Sequence, residues 1–258
     1  SIALKKADVS FAMGSGTDIA RETADMIIVD DNFKSIVAGI KEGRVAYANI
    51  RKIILFLISC GLAEIIFFCL SIILDLPMPL VAIQLLWINV VTDGIQDFAL
   101  SFEKAEEGIL KERPRDPKES IFNKELFQEI LVSGLVVGGV VFTVWYFLLT
   151  KLNMDVSMAR GYIMALMVFI QNIHVFNCRS EHRSAFSVPI KNNWLIVGGV
   201  VVSIILQVIV MEVPFLSKFL QTTSVPFLHL IYLFAIGLLV LVVMEIYKKI
   251  NNLIKNAN

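Results

Sequence analysis

The chain has 258 residues, of which 57% are hydrophobic and 18% charged, and its mean hydropathy is +0.74. Such a composition excludes an ordinary soluble domain and places the chain in a membrane. Its 23 basic and 23 acidic residues cancel, so the overall charge gives no reason to expect a nucleic-acid partner. Cys60, Cys69 and Cys178 lie in or beside apolar runs, an odd and scattered set that reads as packed thiols, not as a disulfide framework. The first residue is Ser1 and no basic-then-apolar leader follows, which leads us to expect a chain that begins partway through a longer protein.

The opening segment is polar. "VSFAMG" (9–14) and "MIIVD" (26–30) have strand length, and "TDIARETA" between them reads as a helix with Thr17 as its N-cap. This is the texture of the tail of an α/β domain, and two strands with one helix bury too little to stand alone. The rest of that domain is expected upstream. "AMGSGT" puts glycines between a strand and a helix start, but it lacks the full Gly-rich pattern and a following Lys-Ser/Thr pair, so the signal for nucleotide contact is weak.

From Phe33 to Leu74 there is no proline, and this stretch has the length of one helix of about 63 Å at 1.5 Å per residue. Such a rod would join the polar domain mechanically to the membrane. Gly39 and Gly43 count against it, each costing roughly 1 kcal/mol relative to Ala in a helix interior.

Six apolar runs follow, at about 53–74, 80–100, 127–149, 158–177, 194–213 and 227–246, each near the roughly 20 residues that cross a bilayer. All seven prolines fall between these runs, as expected of helices. Basic residues gather on one side: Lys41, Arg44, Arg51 and Lys52 come before the first run, and Lys104, Lys111, Arg113, Arg115, Lys118 and Lys124 between the second and third. Arg179, Arg183 and Lys191, then Lys248, Lys249 and Lys255, continue that side, whereas the opposite loops hold only Lys151, Arg160 and Lys218. Both termini are therefore expected to be cytoplasmic.

The second run carries the chemistry. "LLWINVVTDGIQDFAL" (85–100) holds Asn89, Thr92, Asp93, Gln96 and Asp97, and Glu64 sits midway along the first run. Intramembrane acids cost at least about 2.5 kcal/mol on insertion scales and mark functional sites by default. Asn89, Thr92 and Asp93 have i, i+3, i+4 spacing, so on an unbroken helix they share a face. With Glu64 they offer carboxylate, amide and hydroxyl oxygens, a set suited to hard cations, and Glu64, Asn89 and Asp93 are the strongest metal ligands among them. Gly94 permits local unwinding, and Gly61 could do the same in the first run, though a lone glycine in a membrane helix is more often just a packing surface. In the fourth run "IQNIHVFN" makes Gln171 the best ligand from a third helix.

Other readings stand beside these. Glu64 and Asp93 also fit a proton-sharing or hydrogen-bonded pair. Gln84 fits interhelical glue better than ligation, and His174 fits a hydrogen-bonded packing residue. Asp97, one turn toward the cytoplasm, is either the entrance of an ion pathway or a solvated helix end. Gly134 and Gly138 make a small-xxx-small packing seam.

Three stretches resemble one family. "ALKKADVSFAMGSGTDIARETADMIIVDDNF" (3–33) is similar to the end of the phosphorylation domain of cation-transporting P-type ATPases. "QLLWINVVTDG" (84–94) resembles the sixth membrane helix of the calcium-pump-like branch, and "ERPRDPKESIF" (112–122) the loop after it. The last four runs match mainly in number and length. The resemblance implies a mainly α fold, a six-helix transmembrane bundle preceded by the end of an α/β, HAD-like phosphorylation domain. It divides the chain into that domain's end (1–32), a helical stalk (33–52) and a membrane domain (53–258) whose runs correspond to the family's helices five to ten.

It further implies ion ligation by Glu64, Asn89, Thr92 and Asp93. The family pattern has Asn where Gly61 stands, Glu where Gln171 stands, and Pro-Ala where Gln96 and Asp97 stand; losing the Asn and the Glu should weaken one of two calcium sites, and the extra Asp97 leaves the identity of the ion open. Calcium is the favoured cargo, with manganese, sodium and protons left open. The implied activity is ATP-driven alternating access through an aspartyl-phosphate, using ATP and Mg²⁺ whose sites lie mostly outside this chain, in a protein whose N-terminal part holds the actuator, nucleotide and phosphorylation domains. Alone, the chain lacks the phosphorylated Asp and is expected to be inactive. A six-span channel running without ATP, or a noncatalytic membrane scaffold, is the alternative. Short loops without an organelle address point to a bacterial plasma membrane.

Overall fold

A computed structural model describes residues 2–106, 108–111, 114, 120–181 and 183–257, the side chains of 255–257 excepted. Most of "ERPRDPKESIF", including Arg113, Arg115 and Lys118 of the basic count, lies outside the described residues. The chain divides into two compact units, residues 1–48 with 105–114, and residues 49–104 with 115–258.

The first unit opens with helix α1 (Ile2–Lys6), strand β1 (Phe11–Met13), helix α2 (Asp18–Thr23) and strand β2 (Met26–Ile28). β1 and β2 pair in parallel, from Phe11 opposite Met26 to Met13 opposite Ile28. A parallel pair needs a crossover, and α2 supplies it. Thr17 caps α2, its side chain accepting from Ala20 N as the sequence suggests. The glycine turn is committed to the fold: Gly14 N donates to Ile28 O at 2.8 Å and Ser15 N to Asp31 Oδ1 at 3.0 Å. The strand starts are stapled reciprocally. Ser10 N and Ser10 Oγ both donate to Asp25 Oδ2 at 2.8 Å, and Asp25 N donates back to Ser10 Oγ at 3.0 Å. These bonds, the Ser10 hydroxyl foremost, hold the Asp25 carboxyl below its ordinary range. Arg44 Nη1 reaches Ile109 O at 2.6 Å within the same unit. Val9, Ile19, Ile27 and Val29 stay exposed, since so short a unit has no second layer to cover them.

The proline-free stretch forms one element, α3 (Phe33–Ile73), unbroken through Gly39, Gly43 and Gly61. The expected unwinding at Gly61 is therefore absent. No side chain of a neighbouring element would meet a Cβ there, so this glycine neither bends the helix nor admits a partner. Beyond it the second unit contains α4 (Ala82–Val91), α5 (Asp93–Ser101), α6 (Lys124–Thr150), α7 (Val156–Cys178), α8 (Trp194–Glu212), α9 (Pro214–Phe219) and α10 (Phe227–Ala257), with 3-10 turns at Ala185–Ser187 and Ile190–Asn192. Among the described residues five helices are long and apolar enough to cross a membrane. The second apolar run is the exception, because α4 ends at Val91 and α5 begins at Asp93. It is a sixth segment in two pieces.

Local chemistry sets the helix ends. Asn123, Asp155 and Asn193 cap α6, α7 and α8 through side-chain oxygens that accept backbone N–H groups. Asp75 and Asn153 adopt left-handed φ of 52° and 48° just after α3 and α6, where Leu76 N closes onto Ser71 O and Met154 N onto Leu148 O.

α7 occupies the centre. Every residue from Gly161 to Val175 is buried, as expected of a helix that is apolar nearly all round. α6 packs on α3 through the predicted seam: a Cβ at Gly134 would lie 2.7 Å from the Leu62 side chain, and one at Gly138 only 2.8 Å from Ala63 O. A buried clamp ties one end of the bundle. Arg179, 1% exposed, pairs with Glu103, 3% exposed, at 2.8 Å, and also donates to Val188 O and Pro189 O. Asn49 Nδ2 donates to Glu103 O and Asn193 Nδ2 to Ala99 O, so α3, α5, α7 and the start of α8 meet at one point.

Replacing Gly138 by Leu should force α6 off α3 and destabilise the protein by about 1–3 kcal/mol or more, read as a lower melting temperature in detergent. The Ser10–Asp25 staple gives a pH signature. Because the folded carboxyl titrates below its unfolded value of about 4, its contribution is complete above that value and lost as pH falls through the folded one. Hydrogen exchange at Ser10 and Asp25, corrected for intrinsic rates, should therefore rise on acidification, and Asp25→Asn should abolish that step.

Candidate cation site

The break between α4 and α5 is a single residue, Thr92, with φ −108° and ψ −70°. The i→i−4 ladder continues on either side, with Thr92 N donating to Ile88 O at 2.9 Å and Gln96 N to Thr92 O at 2.8 Å. Gly94 sits next to the break on the α5 side, where the sequence placed the unwinding.

Three elements bring polar atoms to this point. Gln171 on α7 bridges two of them, its Nε2 reaching Glu64 Oε1 of α3 at 3.5 Å while its Oε1 accepts from Thr92 Oγ1 at 2.5 Å. The same Thr92 hydroxyl lies 2.7 Å from Ile88 O and 3.4 Å from Asp93 Oδ1. A hydroxyl carries one proton and donates once. A carbonyl, an amide oxygen and a carboxylate thus compete for one hydrogen, with a second carboxylate at Glu64 close by. The cluster is rich in acceptors and short of donors, and a cation offering no lone pairs of its own answers that imbalance. Among the described residues no three His, Cys, Asp or Glu side chains form a metal-binding group, so any such ion would rest on two carboxylates and neutral oxygens.

The expected residues do not all gather. Thr92 and Asp93 are buried and Glu64 is half-buried, but Asn89 is exposed and makes no hydrogen bond with the cluster among the described residues. Buried Gln84, Ile88, Val91, Thr92, Gln96 and Ala99 keep helical spacing across the break, and Asn89 lies beside that stripe. Asp97 is half-buried, and its Oδ1 is enclosed without a hydrogen-bond partner among the described residues. His174 packs as the sequence suggests, with Nε2 2.9 Å from Ser59 Oγ and its ring stacked on Phe56. Gln84 ties the start of its own helix to a loop, accepting from Val81 N and donating to Gln221 O beyond α9 at 2.8 Å, so the expected interhelical link is not what it makes.

A neighbouring network escaped the sequence reading. Gln96 Nε2 donates to Asn172 Oδ1 at 2.8 Å, and Asn172 Nδ2 donates to Ser203 Oγ at 2.7 Å, joining α5, α7 and α8. Ser203 was the available signal, the lone hydroxyl of a run whose other polar side chains are Gln207 and Glu212. α8 approaches α5 closely enough here that a Cβ at Gly199 would lie 3.2 Å from the Gln96 amide.

The family model for the C-terminus of cation transporting ATPases matches residues 77–250, a span that holds the broken helix and Gln171. The chain belongs to this family. It is 38% identical over 224 residues to a calcium-transporting ATPase of Bacillus subtilis, covering 86% of this chain and 25% of that relative. It is 35% identical over 254 residues to the human calcium-transporting ATPase type 2C member 1, covering 97% of this chain and 27% of that protein. A calcium-transporting ATPase 1 of Bacillus cereus is 34% identical over 261 residues, covering 95% of this chain and 29% of its own length. The chain thus spans about a quarter of the length of the curated relatives it matches. As a member of this family, with five helices able to cross a bilayer, it is an integral, multi-pass membrane protein.

Thr92→Val keeps the side-chain shape but leaves the Gln171 carbonyl oxygen without its donor in a buried site. The expected cost is about 1–3 kcal/mol, measured as a drop in thermal stability of the detergent-solubilised protein.

Proposed function

We propose that this chain is the C-terminal part of an ATP-driven cation pump that carries Ca²⁺, and that it supplies most of the intramembrane ion site. The observation that carries the reading is the acceptor-rich meeting of Glu64, Thr92, Asp93 and Gln171 at the one-residue break between α4 and α5. The calcium-transporting relatives support the choice of cargo.

In this proposal Glu64, Asn89, Thr92, Asp93 and Gln171 ligate the ion, with Glu64, Asn89 and Asp93 as its main ligands. Asn89, exposed one turn before the break, would join the set from the α4 side. Asp97, with an enclosed and unpartnered oxygen, would lie on the path between this site and the side that bears most of the basic residues. That side is assigned to the cytoplasm, with both termini on it, in a bacterial plasma membrane. Residues 1–32 would close a phosphorylation domain, 33–52 form a stalk and 53–258 the transport domain. ATP and Mg²⁺ would act in the parts of the pump outside this chain. There the bound nucleotide would drive formation of an aspartyl-phosphate, while the residues described here select, desolvate and hold the cation.

The test uses the full-length protein in membranes. Glu64→Gln and Asp93→Asn each remove one charge from the site and should lower Ca²⁺-dependent phosphorylation by ATP more than about 100-fold, as expected for loss of a charged ligand worth about 3 kcal/mol. Phosphorylation by inorganic phosphate without Ca²⁺ should persist. Normal Ca²⁺ transport in either variant would sink the site assignment, and gradient-driven transport by the chain without ATP would favour a channel.

A further inference from the structure

Where the apolar run of α10 gives way to charge, a groove of about 580 Å³ opens between that helix and the 3-10 turn Ala185–Ser187. Val242, Ile246, Lys249 and Leu253 line one wall at i, i+4, i+7, i+11 spacing, so they form one stripe along α10, and all four are exposed. Phe186, 75% exposed, and Ser184 stand opposite.

Most polar groups of the groove are already committed. Glu245 Oε1 accepts from Ala185 N at 2.6 Å. Lys248 is buried, donates to Asn177 O and Ser180 O at 2.5 Å, and lies 3.7 Å from Glu129. The Glu245–Ala185 bond ties the turn to α10, and Lys248 ties α10 to the end of α7 and to α6. Lys249 is different: it is exposed, and no hydrogen bond or ion pair engages it among the described residues. Ser184 Oγ accepts from Phe186 N at 3.2 Å, which leaves its own O–H as a donor.

One ammonium set in an apolar stripe defines the occupant. A free anion would have no use for the hydrocarbon walls, and a purely apolar segment would strip water from Lys249 without replacing it. A molecule with one negative headgroup joined to a hydrocarbon chain satisfies both, and α10 is apolar enough to cross the bilayer that contains such molecules. We propose that this groove binds one anionic phospholipid, its phosphate held by Lys249 and the Ser184 hydroxyl and an acyl chain laid along Val242 and Ile246 against Phe186. This inference rests on α10 reaching a membrane surface, and on neither the pump's cargo nor its direction.

The intact protein in nanodiscs of phosphatidylcholine with a minor fraction of phosphatidylglycerol, released into native mass spectrometry, reports the retained lipid. Phosphatidylglycerol retention should fall about fivefold in Lys249→Gln, stay near wild type in Lys249→Arg, and be unchanged by Lys191→Gln on an exposed loop. Phe186→Ser should weaken retention without altering headgroup preference. Equal retention in wild type and Lys249→Gln, at equal melting temperature, would overturn the site. So would displacement of the lipid by inorganic phosphate, which would make the groove an ion site. Since a nanodisc exposes both faces to the same lipid, the outcome is independent of the orientation and transport proposed above.

Discussion

Inside an apolar bundle every polar atom needs a partner, because no water is at hand to replace a missing one. The second unit of this protein is organised around the place where that requirement is hardest to meet. At Thr92 one hydroxyl proton faces Ile88 O, Gln171 Oε1 and Asp93 Oδ1 together, with Glu64 on the far side of Gln171. Thr92 and Asp93 are both buried where α4 gives way to α5, while Asn89 one turn earlier is exposed.

The rest of the bundle keeps these atoms in place. α7 must be central, since Gln171 has to touch α3 and the α4–α5 break at once while Asn172, the next residue, reaches Gln96 and Ser203 on other elements. Consecutive residues on a helix point about 100° apart, so only a helix surrounded on several sides can use both. The Gly134–Gly138 seam brings α6 onto the α3 turns next to Glu64. The Arg179–Glu103 clamp then fixes the level of α7 relative to α5. A buried pair of this kind adds little net stability, but breaking it leaves an uncompensated charge, which makes the register costly to change.

Gln171 stands where the resemblance noted above implies a carboxylate. An ionised carboxylate only accepts, whereas an amide both donates and accepts. Here the amide donates toward Glu64 and accepts from Thr92, bridging two elements that a carboxylate would meet as a third negative charge. At this position the amide makes a structural link between two elements.

Much of this architecture was legible in the chain itself. Proline placement and runs near membrane length located the helices to within a few residues, save that α3 and α10 extend past their apolar runs, and the absence of proline from 33 to 74 announced α3. Those features depend on backbone chemistry and hydrophobic length, which act locally and so are written along the sequence. Glu64, Asp93 and Gln171 were conspicuous for the same reason, being costly residues in apolar surroundings. Spacing could not show that the run from 80 to 100 breaks at Thr92, that Asn89 is exposed beside the cluster, or that Gln96, Asn172 and Ser203 form one network across three helices. Periodicity describes a helix only while it continues, and pairing across helices depends on their rotation and level. Packing seams and buried clamps far apart in the chain decide both.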